Sequence, residues 1–309
     1  MNRLFDYIIS YIGHRSIWMN HYKIKAMPND LFSSITEIKK NSAHKENKYD
    51  NEKPIFILSA GWRSGSTLLQ RMVCSENKTL LWGEPYGDMG LINDLCSPLR
   101  RFNQKYPSRN YFFKDHKKNE AIKNQWIANL YPSLESLRES YQAFFITLFK
   151  EPALISGATT WGLKEVRYDA EYAFFLKWLF PKAKIIFLVR NPLNAYSSYS
   201  KFKSWYKIRP ITPIFTAKEF SKHWQLLAQS FLDHHVKLDA FVIKYEDLIT
   251  KKSKRDELSN YLSLTLDESV LNVKIKSGQK ETEEKYQLLN GEKRIVSRIT
   301  SKTFNNYQY

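Results

Sequence analysis

PIFILSAGWRSGSTLLQRMV, Pro54 to Val73, passes from an apolar block through a loop of small residues into a helical pattern. The run from Ile55 to Leu58 suits a strand buried on both faces. Leu68, Leu69, Met72 and Val73 recur at helical spacing and supply the apolar stripe of a following helix. Between them lies Gly61-Trp62-Arg63-Ser64-Gly65-Ser66-Thr67. A strand that enters a helix through such a loop leaves backbone N–H groups unpaired at the helix start, and with the helix dipole these form an anion site. Gly61 and Gly65 permit the sharp turn, Ser66 and Thr67 add hydroxyl donors, and Arg63 offers a planar cationic fork for phosphate-like or sulfate-like oxygens.

The loop departs from the ATP-binding signature G-x-x-x-x-G-K-[ST]. Only three residues separate its glycines, and Ser66 stands at the lysine position. No aspartate suited to holding magnesium closes a strand: AKIIFLVR ends in Arg190, and VIKYED carries Lys244. An ATP-dependent phosphotransferase and a non-catalytic anion or nucleic-acid binder remain the alternative readings.

Outward from this stretch, strands are expected at 79–82, 161–164, 183–190 and 240–245, and helices at 119–130, 134–150, 170–180, after Asn191 and at 217–236. Their alternation predicts an α/β fold, a central parallel sheet flanked by helices. Residues 1–50 read as a helical N-terminal extension and linker, and 51–309 as a single domain. FLVRNPLNAYSSYSKF adds a second anion motif: Arg190 ends a strand, Asn191 caps the next helix, Pro192 opens it, and Ser198 lies eight residues beyond the arginine. Two anion motifs at successive carboxyl ends of strands in one parallel sheet are less easily accidental than either alone.

These two motifs resemble those of sulfotransferases that use 3′-phosphoadenosine-5′-phosphosulfate (PAPS). GWRSGSTLL is similar to the family's 5′-phosphosulfate loop, and FLVRNPLNAYSSYSKF to its 3′-phosphate motif. The arginine form of the loop is closest in style to the carbohydrate and tyrosylprotein branch. The resemblance implies a P-loop-like sulfotransferase fold, PAPS as metal-independent donor, and an acceptor hydroxyl, of a carbohydrate or glycolipid. It assigns the donor to Gly61, Trp62, Arg63, Ser64, Gly65, Ser66, Thr67, Arg190 and Ser198. It also implies a catalytic set of Arg63, Glu84 in LLWGEPYGDMG as general base, and Lys164 in WGLKEVRY assisting the leaving oxygen. Asp88 and His116 are the rival bases. For Lys164 the plainer reading is an ion pair in which Glu165 and Arg167 are exposed as well. The aromatic residues Tyr196, Tyr199, Phe202, Trp205 and Tyr206 read as core, and the basic stretches 276–280 and 291–298 as solvated charge.

Composition agrees with an anionic ligand: 48 lysines and arginines against 31 acidic residues give a net charge of +17. Two cysteines, Cys74 and Cys96, exclude a disulfide scaffold, and seven histidines without HxxxH or HExxH spacing give no metal motif. The N-terminal apolar tract is broken by Asp6, His14 and Arg15, too short for a span or a targeting segment. The expectation is a cytoplasmic protein, with peripheral membrane contact of residues 1–25 as a secondary option and no nucleic-acid partner. No motif specifies an oligomeric state.

Overall fold

The computed structural model describes residues 29–42, 46–75, 78–112, 128, 130–201, 214–273 and 287–307. The expected N-terminal helix, nearly all of the expected helix at 119–130, His116, Phe202, Trp205, Tyr206 and the stretch 276–280 lie outside these residues, as does the side chain of Asp88. The chain divides into two compact units. One comprises the described residues of Met1–His44 and Asn93–Ser136, the other those of Lys45–Ile92 and Leu137–Tyr309. The second holds the sheet and both anion motifs.

That sheet has five strands: β1 (Ile55–Ser59), β2 (Thr79–Gly83), β3 (Thr160–Glu165), β4 (Lys184–Val189) and β5 (Ala240–Lys244). Their spatial order is β2-β3-β1-β4-β5, and every pairing is parallel. The chain leaves central β1 towards one edge, returns through β3, and then crosses to β4 on the other side. The order therefore reverses at β1, and a crevice opens beyond the strands' carboxyl ends at such a reversal. Both faces are covered, which explains the unbroken apolar runs: all residues of β1 are buried, as are the last five of β4.

One face packs Ile55, Ile57, Ile186 and Leu188 against Leu69 and Met72 of the helix α1 (Ser66–Cys74). The other is aromatic. Phe187 stacks on Phe231 at 4.2 Å between ring centres, and Phe56 meets Trp161 and Phe180 edge-on or tilted. Helices α2 (Ala170–Leu179), α3 (Pro192–Ser200) and α4 (Ala217–Leu238) follow β3 and β4 as expected. Asn191 caps α3 by accepting from Leu193 N and Asn194 N, while Thr216 and Glu219 close a capping box at α4.

Two segments differ from the sequence reading. The helix expected at 134–150 changes to a π-helix at Ile146–Lys150 and continues as Glu151–Ile155. The linker before β1 is tied down: Asp50 accepts from Arg138 and Gln142, and Glu52 from Lys150 at 2.5 Å. The linker's partners, Gln142 buried and Arg138 and Lys150 half-buried, lie far along the chain and are invisible to a composition reading.

Candidate active site

The carboxyl ends of all five strands deliver the residues of one cleft of about 270 Å³, lined among others by Trp62, Arg63, Thr67, Glu84, Arg190 and Tyr245. The loop after β1 begins with Gly61 and caps α1 with Gly65, both left-handed, at φ +83° and +91°. Gly65 is needed twice over, because a Cβ there would lie 2.1 Å from the Tyr245 ring. Arg63 is itself left-handed, φ +62°, a conformation uncommon for a residue with a side chain.

Interactions on both sides hold Arg63 in that conformation. Its Nε donates to Ser198 Oγ at 2.9 Å, and its carbonyl accepts from the Arg190 guanidinium at 2.8 Å. The residues of the two motifs thus meet through Arg63, and Arg190 and Ser198 flank it. The Arg190 guanidinium also lies 4.4 Å over the Tyr245 ring, while Trp224 of α4 donates to the Arg190 carbonyl at 3.1 Å. Tyr196 and Tyr199 are buried core residues, donating to Glu292 and to the Ile214 carbonyl. The stretch 291–298 lies in the helix Asn290–Asn306, with Lys293, Arg294 and Arg298 exposed.

The remaining candidates form a charged group beside the loop. Gly83 pairs with Lys164 in the sheet, so Glu84 leaves β2 next to Lys164 and donates its N–H to the Lys164 carbonyl at 2.7 Å. Glu84 adopts φ +43°, an unfavourable conformation of the kind that clusters at functional sites. Lys164 Nζ lies 2.5 Å from Glu84 Oε1. Arg167 approaches Glu84 Oε2 at 3.6 Å and Glu165 Oε1 at 2.9 Å.

The reading of Lys164, Glu165 and Arg167 as a solvent-exposed ion pair is overturned. Their side chains are only 5%, 2% and 5% exposed. They lie where β3 runs into the protein between β1 and β2, and burial requires each charge to have a partner. Burial pushes the Glu165 carboxyl up to about 7, opposed by Arg167 and aided by the charge of Glu84. Next to them, His223 of α4 stacks on Trp62 at 5.2 Å. Burial drives its imidazole down to about 4, against a hydrogen bond with the Val166 backbone and helped by nearby Arg167. Among the described residues no cluster of histidine, cysteine and carboxylate groups is arranged to hold a metal.

Residues 54–265, more than half of the chain, match the family model described as "Sulfotransferase family". The chain belongs to the sulfotransferase family. No curated protein matches it. Among solved structures it is similar to the sulfotransferase domain of the Synechococcus PCC 7002 olefin synthase, with 15% identity, TM-score 0.44, and coverage of 87% of this chain and 99% of that one. It is also similar to mouse sulfotransferase SULT7A1 complexed with PAP, with 13% identity, TM-score 0.40, and coverage of 89% and 91%. A third is sulfotransferase STF9 of Mycobacterium avium, at 11% identity and TM-score 0.40, covering 90% and 81%.

Tyr245 of this sulfotransferase's cleft and His223 beside Trp62 went unnoticed in the sequence, and Arg167 was read only as an exposed charge. Tyr245 stood in FVIKYEDL at the end of an expected strand, and its position there was the available signal. Arg167 and His223 gave none, because only the fold brings them to Glu84 and Trp62. No helix among the described residues is long and apolar enough to cross a membrane.

Proposed function

We propose that this sulfotransferase moves the sulfuryl group of PAPS to an acceptor hydroxyl. The observation that carries the reading is the joining of two anion motifs through Arg63, which suits a nucleotide with a phosphosulfate at its 5′ end and a phosphate at its 3′ position. Loop residues 64–67 present backbone N–H groups and hydroxyls to the phosphosulfate, with Arg63 beside them. Arg190 and Ser198 hold the 3′-phosphate, and the Tyr245 ring offers an aromatic face in the same cleft.

In the reaction, the acceptor oxygen bonds to sulfur as the bridging S–O bond breaks, and the hydroxyl proton passes to Glu84. PAP departs with the electron pair of that bond. Lys164, already within reach of Glu84, donates to the bridging oxygen as its charge grows. Carbohydrate or glycolipid hydroxyls are the acceptors to screen first, on the likeness of the RSGST loop alone.

Calorimetric titration with PAP in metal-free buffer tests the donor site. Stoichiometric binding is expected in wild type, weakened by about 1.5–3 kcal/mol in Arg190→Ala, the size of a charged hydrogen bond. No binding in wild type would refute the reading, and tight ATP binding that requires magnesium would favour a phosphotransferase. Gly65→Ala is expected to weaken PAP about tenfold or more, since the left-handed conformation alone costs 1–2 kcal/mol and the new methyl displaces Tyr245. An unchanged Kd would mean that the loop does not contact the nucleotide.

A further inference from the structure

Glu84 faces more charge than a general base needs. Lys164 meets one of its oxygens, Arg167 approaches the other, and the buried carboxylate of Glu165 lies on the far side of Arg167. Arg63 and Arg190 share the cleft, and His223 and Tyr168 lie next to Arg167. In the proposed reaction Lys164 turns to the donor's bridging oxygen and gives up its pairing with Glu84. Two carboxylates in one buried pocket do not both stay ionised without a cation between them. Arg167 occupies that place.

We propose that Arg167 is a positioning residue for the base: its guanidinium, anchored on buried Glu165, keeps the Glu84 carboxylate paired and aimed while Lys164 is engaged with the donor. The inference rests on Glu84 being the base. The geometry supports it in three respects. Arg167 is only 5% exposed and reaches both carboxylates. Glu165 is fixed in turn, accepting from the Val166 N–H at 3.2 Å with its second oxygen. The Glu84 backbone is pinned to β3 through the Lys164 carbonyl, so its side chain has little room to follow a departing lysine. A cation that served Glu165 alone would need no approach to Glu84.

The test is the titration of the Glu84 carboxyl by carbon NMR on protein labelled at the glutamate side-chain carboxyl, its signal assigned by loss in Glu84→Gln. It needs no acceptor. In Arg167→Met the Glu84 midpoint is expected to rise, because an opposite charge at this range favours the ionised form. Should that variant not fold, Glu165→Gln/Arg167→Met, which leaves no unpaired buried charge, is expected to show the same rise. Arg167→Lys should restore part of the shift. A Glu84 midpoint unmoved in the folded variants would overturn the proposal and reduce Arg167 to the structural partner of Glu165. Failure of the base reading is a separate outcome, seen as sulfuryl transfer that survives Glu84→Gln whatever the titration gives.

Discussion

Glu84→Gln is expected to lower kcat for sulfuryl transfer by about 10²–10⁴-fold while leaving PAP affinity within about twofold, the effect of losing a positioned general base. The substitution preserves the shape of the side chain and its hydrogen-bond acceptor for Lys164. It removes the charge and the ability to take a proton. Glutamine also accepts the left-handed backbone at least as well as glutamate, so the turn at 84–87, closed by the Gly87 N–H on the Glu84 carbonyl at 2.8 Å, stays intact. Single-turnover transfer from labelled PAPS to the acceptor found by screening, set beside the calorimetric PAP constant, separates chemistry from binding. A tenfold or smaller loss of kcat would remove Glu84 from the role of base. A parallel loss of PAP affinity would show a role in the donor site instead.

Between pH 4.5 and 6.5 the fold is expected to carry two opposed proton linkages of about 3 kcal/mol each over their full ranges. His223 ordinarily titrates at 6.5 but is held at about 4 in the fold. Between those values the unfolded chain binds a proton that the folded one refuses. Its contribution is therefore complete above pH 6.5 and lost as pH falls towards 4. Glu165 runs the other way, from an ordinary 4.5 to about 7 in the fold. The folded chain binds the proton first, so its contribution is complete below pH 4.5 and lost as pH rises to 7. In wild type the two offset each other across the shared window. Glu165→Gln leaves His223 alone, and stability measured by urea unfolding should then rise by about 2–3 kcal/mol from pH 4.5 to 6.5. His223→Gln should show the reverse slope. A flat profile in either variant would mean that the group it retains titrates normally.

Much of the fold was legible because parallel strands covered on both faces must be apolar along their length. Ile55–Leu58 and the run 183–190 announced themselves in that way, and Asn191-Pro192 marked the start of the helix after β4. The loop was equally plain, because turn geometry and anion binding both demand small residues next to one another in sequence. The charged group beside Glu84 was not. Lys164, Glu165 and Arg167 look like a solvated run in sequence, and only their packing with β2 makes them a buried network. His223 reaches Trp62 from a helix more than 150 residues away, and no local pattern encodes such an approach. The π-helix at Ile146–Lys150 was hidden for a related reason, since inserting one residue into a turn leaves the apolar pattern nearly unchanged.

In the proposed donor site, the hydrogen bonds of Arg63 to Ser198 and from Arg190 would make the two anion-binding ends a single thermodynamic unit. A change at Ser198 loosens Arg63 and hence the turn that Gly61 and Gly65 shape, although the chain between them is more than 130 residues long. The binding energies of the two anionic groups therefore do not add: each is worth more when the other is already in place. Fragments carrying only one of them should be poor ligands out of proportion to what they lack, and the proposed donor would owe its affinity to having both at the spacing the protein has already set.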